Sequence, residues 1–196
     1  MPIQKRYNKS SEQALANYDF EDIAEGTGLK AFYLAISALD GDVKHNLIPY
    51  QVYSCSGQII TSSDKTYEFY SPEFNLPRKI HGTAYLNLGF HVNSNTANIR
   101  AQLKLSGSQM INLTSEVSGA TLTGDLYGME FYKMPIMTPT TIKRGDQLRL
   151  TLKLSKAGAG NIEIGTNPMG LLGSFDSGHP EAVTSSRILI PFKIDL

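Results

Sequence analysis

The sequence predicts an all-β fold, namely an antiparallel, jelly-roll-like β-sandwich with an extended N-terminal arm. Three observations lead to this prediction. Apolar and polar residues alternate in several segments, turn-forming residues separate these segments at short intervals, and no segment after residue 29 carries the apolar stripe of an amphipathic helix. Since no helices are available to cover the apolar face of a sheet, a second sheet must cover it.

The clearest alternation spans residues 84–92 and 99–105. Successive side chains of a strand point to opposite faces, so the apolar residues of each segment share one face and the polar residues share the other. The stretch between them, residues 93–98, consists almost entirely of Asn, Ser and Thr, which favour turns. Together these segments predict a hairpin with a six-residue loop.

Two further segments alternate as clearly, 148–154 with its four leucines and 188–194 near the end of the chain. Pro191 falls within the second of these. Because proline has no N–H to donate to a strand ladder, we expect this strand to lie at a sheet edge or to carry a bulge. Weaker patterns predict additional strands at 30–37, 48–54, 58–62, 66–70, 111–117 and 128–134.

The domain organisation predicted is an N-terminal arm, residues 1–28, followed by a single β-sandwich domain, residues 29–196. A chain of 196 residues is long enough to bury one core without metal or disulfide support. The arm carries Tyr18, Phe20 and Ile23, more apolar side chain than a solvated tail needs. We expect these three residues to contact a neighbouring subunit, and a floppy terminus is the alternative.

Composition and charge exclude several classes of function. The chain has 18 Lys and Arg against 18 Asp and Glu, so it lacks the net basic character of proteins that bind nucleic acid directly. No window approaches the roughly 18 apolar residues of a membrane span. The N-terminus has no apolar core of the kind found in signal peptides, so we expect a soluble protein made in the cytoplasm.

The sequence offers no motif for catalysis, a metal or a cofactor, and we expect none of the three. Residues 173–178 have the wrong spacing for the serine elbow of an α/β-hydrolase. Cys55 is the only cysteine, so no internal disulfide can form. The long Gly- and Pro-containing segment from Thr166 to Ser186 is expected to be a functional or mobile loop. The four histidines lack metal-binding spacing, and they are His45, His81, His91 and His179.

Aromatic residues flank two glutamates, Glu68 and Glu130. Aromatic rings stack on sugars, and two facing carboxylates can hydrolyse glycosides, so a carbohydrate-binding or receptor-binding module stays open as an alternative function, with a host-surface glycan as partner. The absence of tryptophan counts against both sugar binding and hydrolysis, and ordinary cross-strand packing explains the pattern equally well. The candidate glycan contacts are Tyr67, Phe69, Phe131 and Tyr132.

Parts of the chain resemble known proteins. Residues 18–33, Tyr-Asp-Phe-Glu-Asp-Ile-Ala-Glu-Gly-Thr-Gly-Leu-Lys-Ala-Phe-Tyr, resemble the start of a group of small environmental proteins associated with viral genomes, including phages. Residues 188–196 are similar to the closing strand of those proteins. Residues 142–150 resemble a turn and strand found widely in jelly-roll modules.

This resemblance implies a non-enzymatic virion structural protein, such as a capsid, decoration or spike-type subunit. The resemblance implies no catalytic residues in this sequence. It implies a homo-oligomer, or a subunit that assembles with other capsid proteins, located in the virion after synthesis in the host cytoplasm.

Overall fold

The computed structural model describes residues 27–39, 42–50, 57–166 and 186–193, and every regular element within them is a β-strand. The predicted all-β fold is therefore confirmed. The strands are β1 (Thr27–Leu39), β2 (Asp42–Ile48), β3 (Gly57–Thr61), β4 (Lys65–Tyr70), β5 (Arg78–Ile80), β6 (Thr83–Ser106), β7 (Met110–Asn112), β8 (Val117–Pro135), β9 (Thr140–Ile142), β10 (Gln147–Thr166) and β11 (Arg187–Lys193).

Strand β6 shows that the hairpin predicted at 93–98 is wrong, because this strand continues from Thr83 to Ser106. The alternation changes phase within it: even-numbered residues are buried up to Val92, and odd-numbered residues are buried from Ala97 onward. A loop would produce such a change, but so does an irregular step in one continuous strand. Here the step is a register shift, and the polar residues that suggested a turn lie in extended backbone.

Most of the weaker predicted strands correspond to β1, β3, β4 and the end of β8. Two predictions differ from the structure. Strand β2 ends at Ile48, where the strand predicted at 48–54 should begin, and residues 51–56 lie outside the described residues. The strand predicted at 111–117 is confined to Met110–Asn112. Strand β1 includes the last two residues of the predicted arm, Thr27 and Gly28, so the sandwich begins within that segment.

The sheet divides into two layers at β6. Strand β8 pairs along one side of β6. On the opposite side, β11 pairs with residues 85–87 and β10 pairs with residues 90–106, so two strands leave the same side and must diverge. Strand β11 leads on to β1 and β2, whereas β10 leads on to β4. The two layers meet again at one parallel bridge between Asn46 and Tyr70, which closes the ring of pairings.

Strands β8, β6 and β10 bend together at one level. Ser94 pairs with Gly124 on one side and with Gly160 on the other, and both glycines have positive φ, +80° and +100°. This left-handed conformation is open to glycine at little cost, and it turns each strand from one layer into the other. As a result, the hydroxyl of Tyr132, which donates to the Glu130 carboxylate, lies 3.2 Å from the Ile99 carbonyl across the core.

The core lies between the layers as one apolar cluster. The predicted apolar faces are confirmed, since Leu86, Leu148 and Ile188 are fully buried representatives of the three strands concerned. Burial of each such side chain stabilises the fold by roughly 1.5–3 kcal/mol.

Pro191 does not mark a sheet edge, because β11 pairs with β1 on one side and with β6 and then β5 on the other. The carbonyl of Ser186 accepts from Leu34 N–H, so the backbone N–H and C=O groups of even-numbered residues in β11 point toward β1. The backbone groups of odd-numbered residues, including Pro191, point away from β1. On that side of β11, Leu189 pairs with β6 and Phe192 pairs with β5, and Pro191 lies between them. Since no ladder bond is needed in the gap between the two pairings, the lack of an N–H on Pro191 is tolerated.

Ser186 satisfies a buried backbone group where the sheet divides. Gly89 lies between the part of β6 that pairs with β11 and the part that pairs with β10, and its N–H donates to the Ser186 hydroxyl at 3.0 Å. A buried N–H without a partner is costly, so this bond closes the hydrogen-bond ladder at the division.

Gly124→Ala tests the bend. A Cβ at this position meets no atom within 4 Å, so the cost arises from the positive φ alone. We expect a loss of about 1–2 kcal/mol in the free energy of unfolding, measured by urea denaturation. Gly124→Asn should lose less, because Asn tolerates this conformation better, and the exposed neighbour Thr123→Ala serves as the control. An alanine variant as stable as the wild type would contradict the role given to this glycine.

Candidate functional site

The structure separates the four residues predicted to contact a glycan. Phe131 is 65% exposed, whereas Phe69 and Tyr132 lie in the core and are closed to a ligand. Tyr67 is buried in the same way and only borders a cleft. The prediction fails for the buried residues because side chains adjacent along a strand point to opposite faces, so aromatics that flank the outward Glu68 point inward.

The two glutamates of that pattern have structural partners. Glu68 forms an ion pair with Arg149 and accepts from the Tyr70 hydroxyl at 2.9 Å. Glu130 accepts from the backbone N–H of Ala120 at 2.5 Å. Glu68 thus joins β4 to β10, and Glu130 joins the two parts of β8 on either side of Gly124.

The predicted subunit contacts Tyr18, Phe20 and Ile23 lie outside the described residues. The same is true of residues 167–185, which make up nearly all of the predicted loop.

An apolar patch lies on the outer face of β6 and β8. It consists of Tyr85, Met129 and Phe131 and is called the β8 patch below. The rings of Tyr85 and Phe131 stack with centroids 5.7 Å apart and planes 27° apart, and Met129 is 46% exposed. Apolar patches on an otherwise polar surface commonly mark interaction sites. The sequence analysis predicted a contact role for Phe131, but because it lies beside Glu130 and not because it belongs to an apolar patch.

Charged residues flank the β8 patch along β8, with Asp125 at one end and Lys133 at the other, both exposed. Asp125 contacts Nε2 of His91 at 2.8 Å, and Glu163 contacts Nδ1 at 3.2 Å. The sequence placed His91 on a polar surface, whereas its neighbours leave it 7% exposed.

A cleft of about 690 Å³ opens where β2 and β4 diverge. The ring of His45 meets the rings of Tyr67 and Phe69 edge-on, each at 5.3 Å, and Lys65 Nζ lies 5.3 Å from the Tyr67 centroid. Burial, and secondly the charge of Lys65, lower the pKa of His45 below its usual value of 6.5. The lining residues are Ile36, His45, Ile59, Ile60, Lys65, Thr66, Tyr67 and Glu68.

The described residues contain no group of three or more His, Cys, Asp or Glu side chains placed to hold a metal ion. No helix in the same part of the chain has the length and apolar character needed to cross a membrane.

Comparison with solved structures identifies proteins of similar fold. A CocE/NonD family hydrolase from Staphylococcus aureus matches with a TM-score of 0.58 at 12% identity, over 85% of this chain and 37% of its own. An aminopeptidase from the marine sediment archaeon Thaumarchaeota archaeon matches with a TM-score of 0.56 at 8% identity, over 83% and 37%. An α-amino acid ester hydrolase matches with a TM-score of 0.50 at 10% identity, over 84% and 35%.

The chain therefore spans little more than a third of these larger enzymes, and at such identities the likeness shows the fold alone. TM-scores of 0.28 with the VP2 subviral particle of infectious bursal disease virus and 0.30 with TmCBM61 in complex with β-1,4-galactotriose are too low to bear on function. No family model and no curated protein matches the sequence.

His45 gives a testable pH dependence. Its pKa is lower in the folded protein than in the unfolded chain, so the unfolded chain binds the proton more readily and stability falls as the pH drops below about 6.5. We expect His45→Gln to reduce this acid-induced loss, measured by urea unfolding at pH 7 and at about pH 5.5. His81→Gln, at an exposed histidine, is the control. Equal pH profiles for the wild type and His45→Gln would contradict the prediction.

Proposed function

We propose that this protein is a non-enzymatic virion structural subunit, of capsid, decoration or spike type, that acts through contacts with other subunits. The observation that carries the proposal is the β8 patch, in which an exposed Phe131 stacks on Tyr85 beside Met129. Aromatic residues and Met are enriched at protein interfaces, and aromatics often contribute most of the binding energy. The patch lies on a rigid β-strand pair, so little ordering is needed on contact.

The setting of the carboxylates supports a structural role over hydrolysis. Glycoside hydrolysis needs two carboxyl groups that face the same substrate. Glu68 pairs with Arg149, and Glu130 reaches the backbone of Ala120 inside the bend. Both side chains stabilise the sandwich that carries the patch.

Assignment to a virion rests on the resemblance of residues 18–33 and 188–196 to proteins associated with viral genomes. A neutral net charge suits a subunit that contacts other subunits and makes no direct contact with nucleic acid. The expected partners are copies of the same chain or other capsid proteins.

Phe131→Asp tests the proposal. Placing a carboxylate in the contact should weaken self-association at least tenfold, measured by mass photometry and by light scattering over a range of concentrations. Leu76→Asp is the matched control, since Leu76 is also 65% exposed but lies between β4 and β5. A wild-type protein that stays monomeric at high concentration, or two variants that associate equally, would contradict the proposal.

A second candidate function is glycan binding in the cleft between β2 and β4. The cleft favours it because Lys65, Thr66 and the edge of Tyr67 line one wall, where they offer donors beside an aromatic ring. Lys65→Ala and Thr66→Ala should then abolish signals on a glycan array, while Lys79→Ala, at an exposed lysine of β5, should retain them. An array without signal for the wild type would exclude this candidate.

A further inference from the structure

We infer that the outer side of β8 pairs with β8 of a second copy of this chain, antiparallel and with Met129 on the two-fold axis. The inference rests on the proposed function, because it names the partner and the contact geometry of the β8 patch. It would extend the sheet across two subunits, with backbone hydrogen bonds as the main contact.

The backbone of β8 is available for such pairing. Within the described residues, this 19-residue strand pairs only with β6. Ile136 N–H donates to the Gly82 carbonyl at 2.9 Å, and the β6–β8 register is unbroken from Thr83 to Ser94. Even-numbered residues of this part of β8 therefore point their backbone groups toward β6, and odd-numbered residues point theirs outward.

A hydrogen bond of β6 independently confirms which backbone groups of β8 point toward β6 and which point outward. Gly89, an odd-numbered residue, donates its N–H to Ser186, on the side of β6 away from β8. Even-numbered residues of β6 consequently face β8. The pairing of even with even residues then leaves the odd-numbered groups of β8 at the outer edge.

The ends of the free segment define its centre. Gly124 bends the strand at one end through its positive φ, and Pro135 at the other end has no N–H to donate outward. Between them, the outward-pointing backbone groups run from Asp125 to Lys133. The midpoint of that segment is Met129.

Charge selects the same register. Antiparallel pairing about Met129 sets Asp125 of each copy opposite Lys133 of the other, so two ion pairs form at the ends of the ladder. Moving the axis by two residues, to 127 or to 131, leaves both charges without an opposite partner. Both side chains are exposed. Oδ1 of Asp125 contacts His91 of its own subunit, but the Asp125 side chain is still 65% exposed, so its carboxylate can also meet Lys133 of the second copy.

The side chains between the charges suit a buried contact. Met129 faces Met129 of the second copy, and the exposed ring of Phe131 continues the apolar surface across the axis. Edge strands that avoid pairing carry inward-pointing charges, proline or bulges. Within residues 126–132 there is no proline and no charge on the outer face. The single charge, Glu130, lies on the inner face, where it accepts from the Ala120 N–H and the Tyr132 hydroxyl of its own strand.

Disulfide trapping tests the register in the full chain, with Cys55→Ser as background. Met129→Cys sets two thiols directly opposite, with Cα atoms about 5.5 Å apart, within the range that a disulfide spans. Thr123→Cys is the control, because this exposed residue lies outside the proposed ladder, on the far side of Gly124, and takes no part in its ion pairs. We expect Met129→Cys to form a covalent dimer at least tenfold faster than Thr123→Cys, read from non-reducing gels and intact mass.

The outcomes distinguish the two proposals. If the wild type associates and Phe131→Asp disrupts the association, but Met129→Cys traps no faster than Thr123→Cys, the inferred register is overturned and the proposed function stands. A wild type that is monomeric at all concentrations overturns both. A monomer whose amides at odd-numbered positions 125–133 resist hydrogen exchange assigns the edge to another segment of the same chain, and also overturns the inference.

Discussion

The bend at Ser94 is the constraint on which the rest of the structure depends. A strand of 24 residues cannot stay in one layer of a small sandwich, and β6 passes from one layer to the other without leaving its partners. Two flanking glycines with positive φ allow this, one in each neighbouring strand. Because all three strands bend together, hydrogen bonds continue on both sides of β6, and a single sheet supplies both walls of the core.

The division of the sheet follows from this bend. Strands β10 and β11 share one side of β6, and the gap between them exposes one backbone N–H, that of Gly89, to the interior. The Ser186 hydroxyl fills the position that a third strand would otherwise occupy. The Tyr132 hydroxyl, which donates to Glu130, also approaches the Ile99 carbonyl of β6. A few polar contacts thus accompany the division of an otherwise apolar core.

Local alternation predicted most buried faces, because burial on a strand depends on residue parity. It could not predict where the parity changes, since a loop and a bulged strand give the same pattern around residues 93–98. Residue parity alone predicts that the adjacent side chains of Phe131 and Tyr132 point to opposite faces, one exposed and one buried. Grouping both as neighbours of Glu130 hid this difference. The burial of His91 depends on Asp125 and Glu163, which lie far away in sequence, and no local pattern shows them together.

The closed ring of strands leaves β8 outside it, as the strand to which the proposed contact is assigned. Pairings run from β6 through β10, β4, β2, β1 and β11 and return to β6, so these six strands have partners on both sides over part of their length. Of the described strands outside the ring, β3, β5, β7 and β9 have three to five residues, whereas β8 has 19. Short edges offer little backbone for association, and long ones are normally protected. Among the strands that the structure describes, the fold therefore leaves one long edge, and the apolar patch lies on that edge.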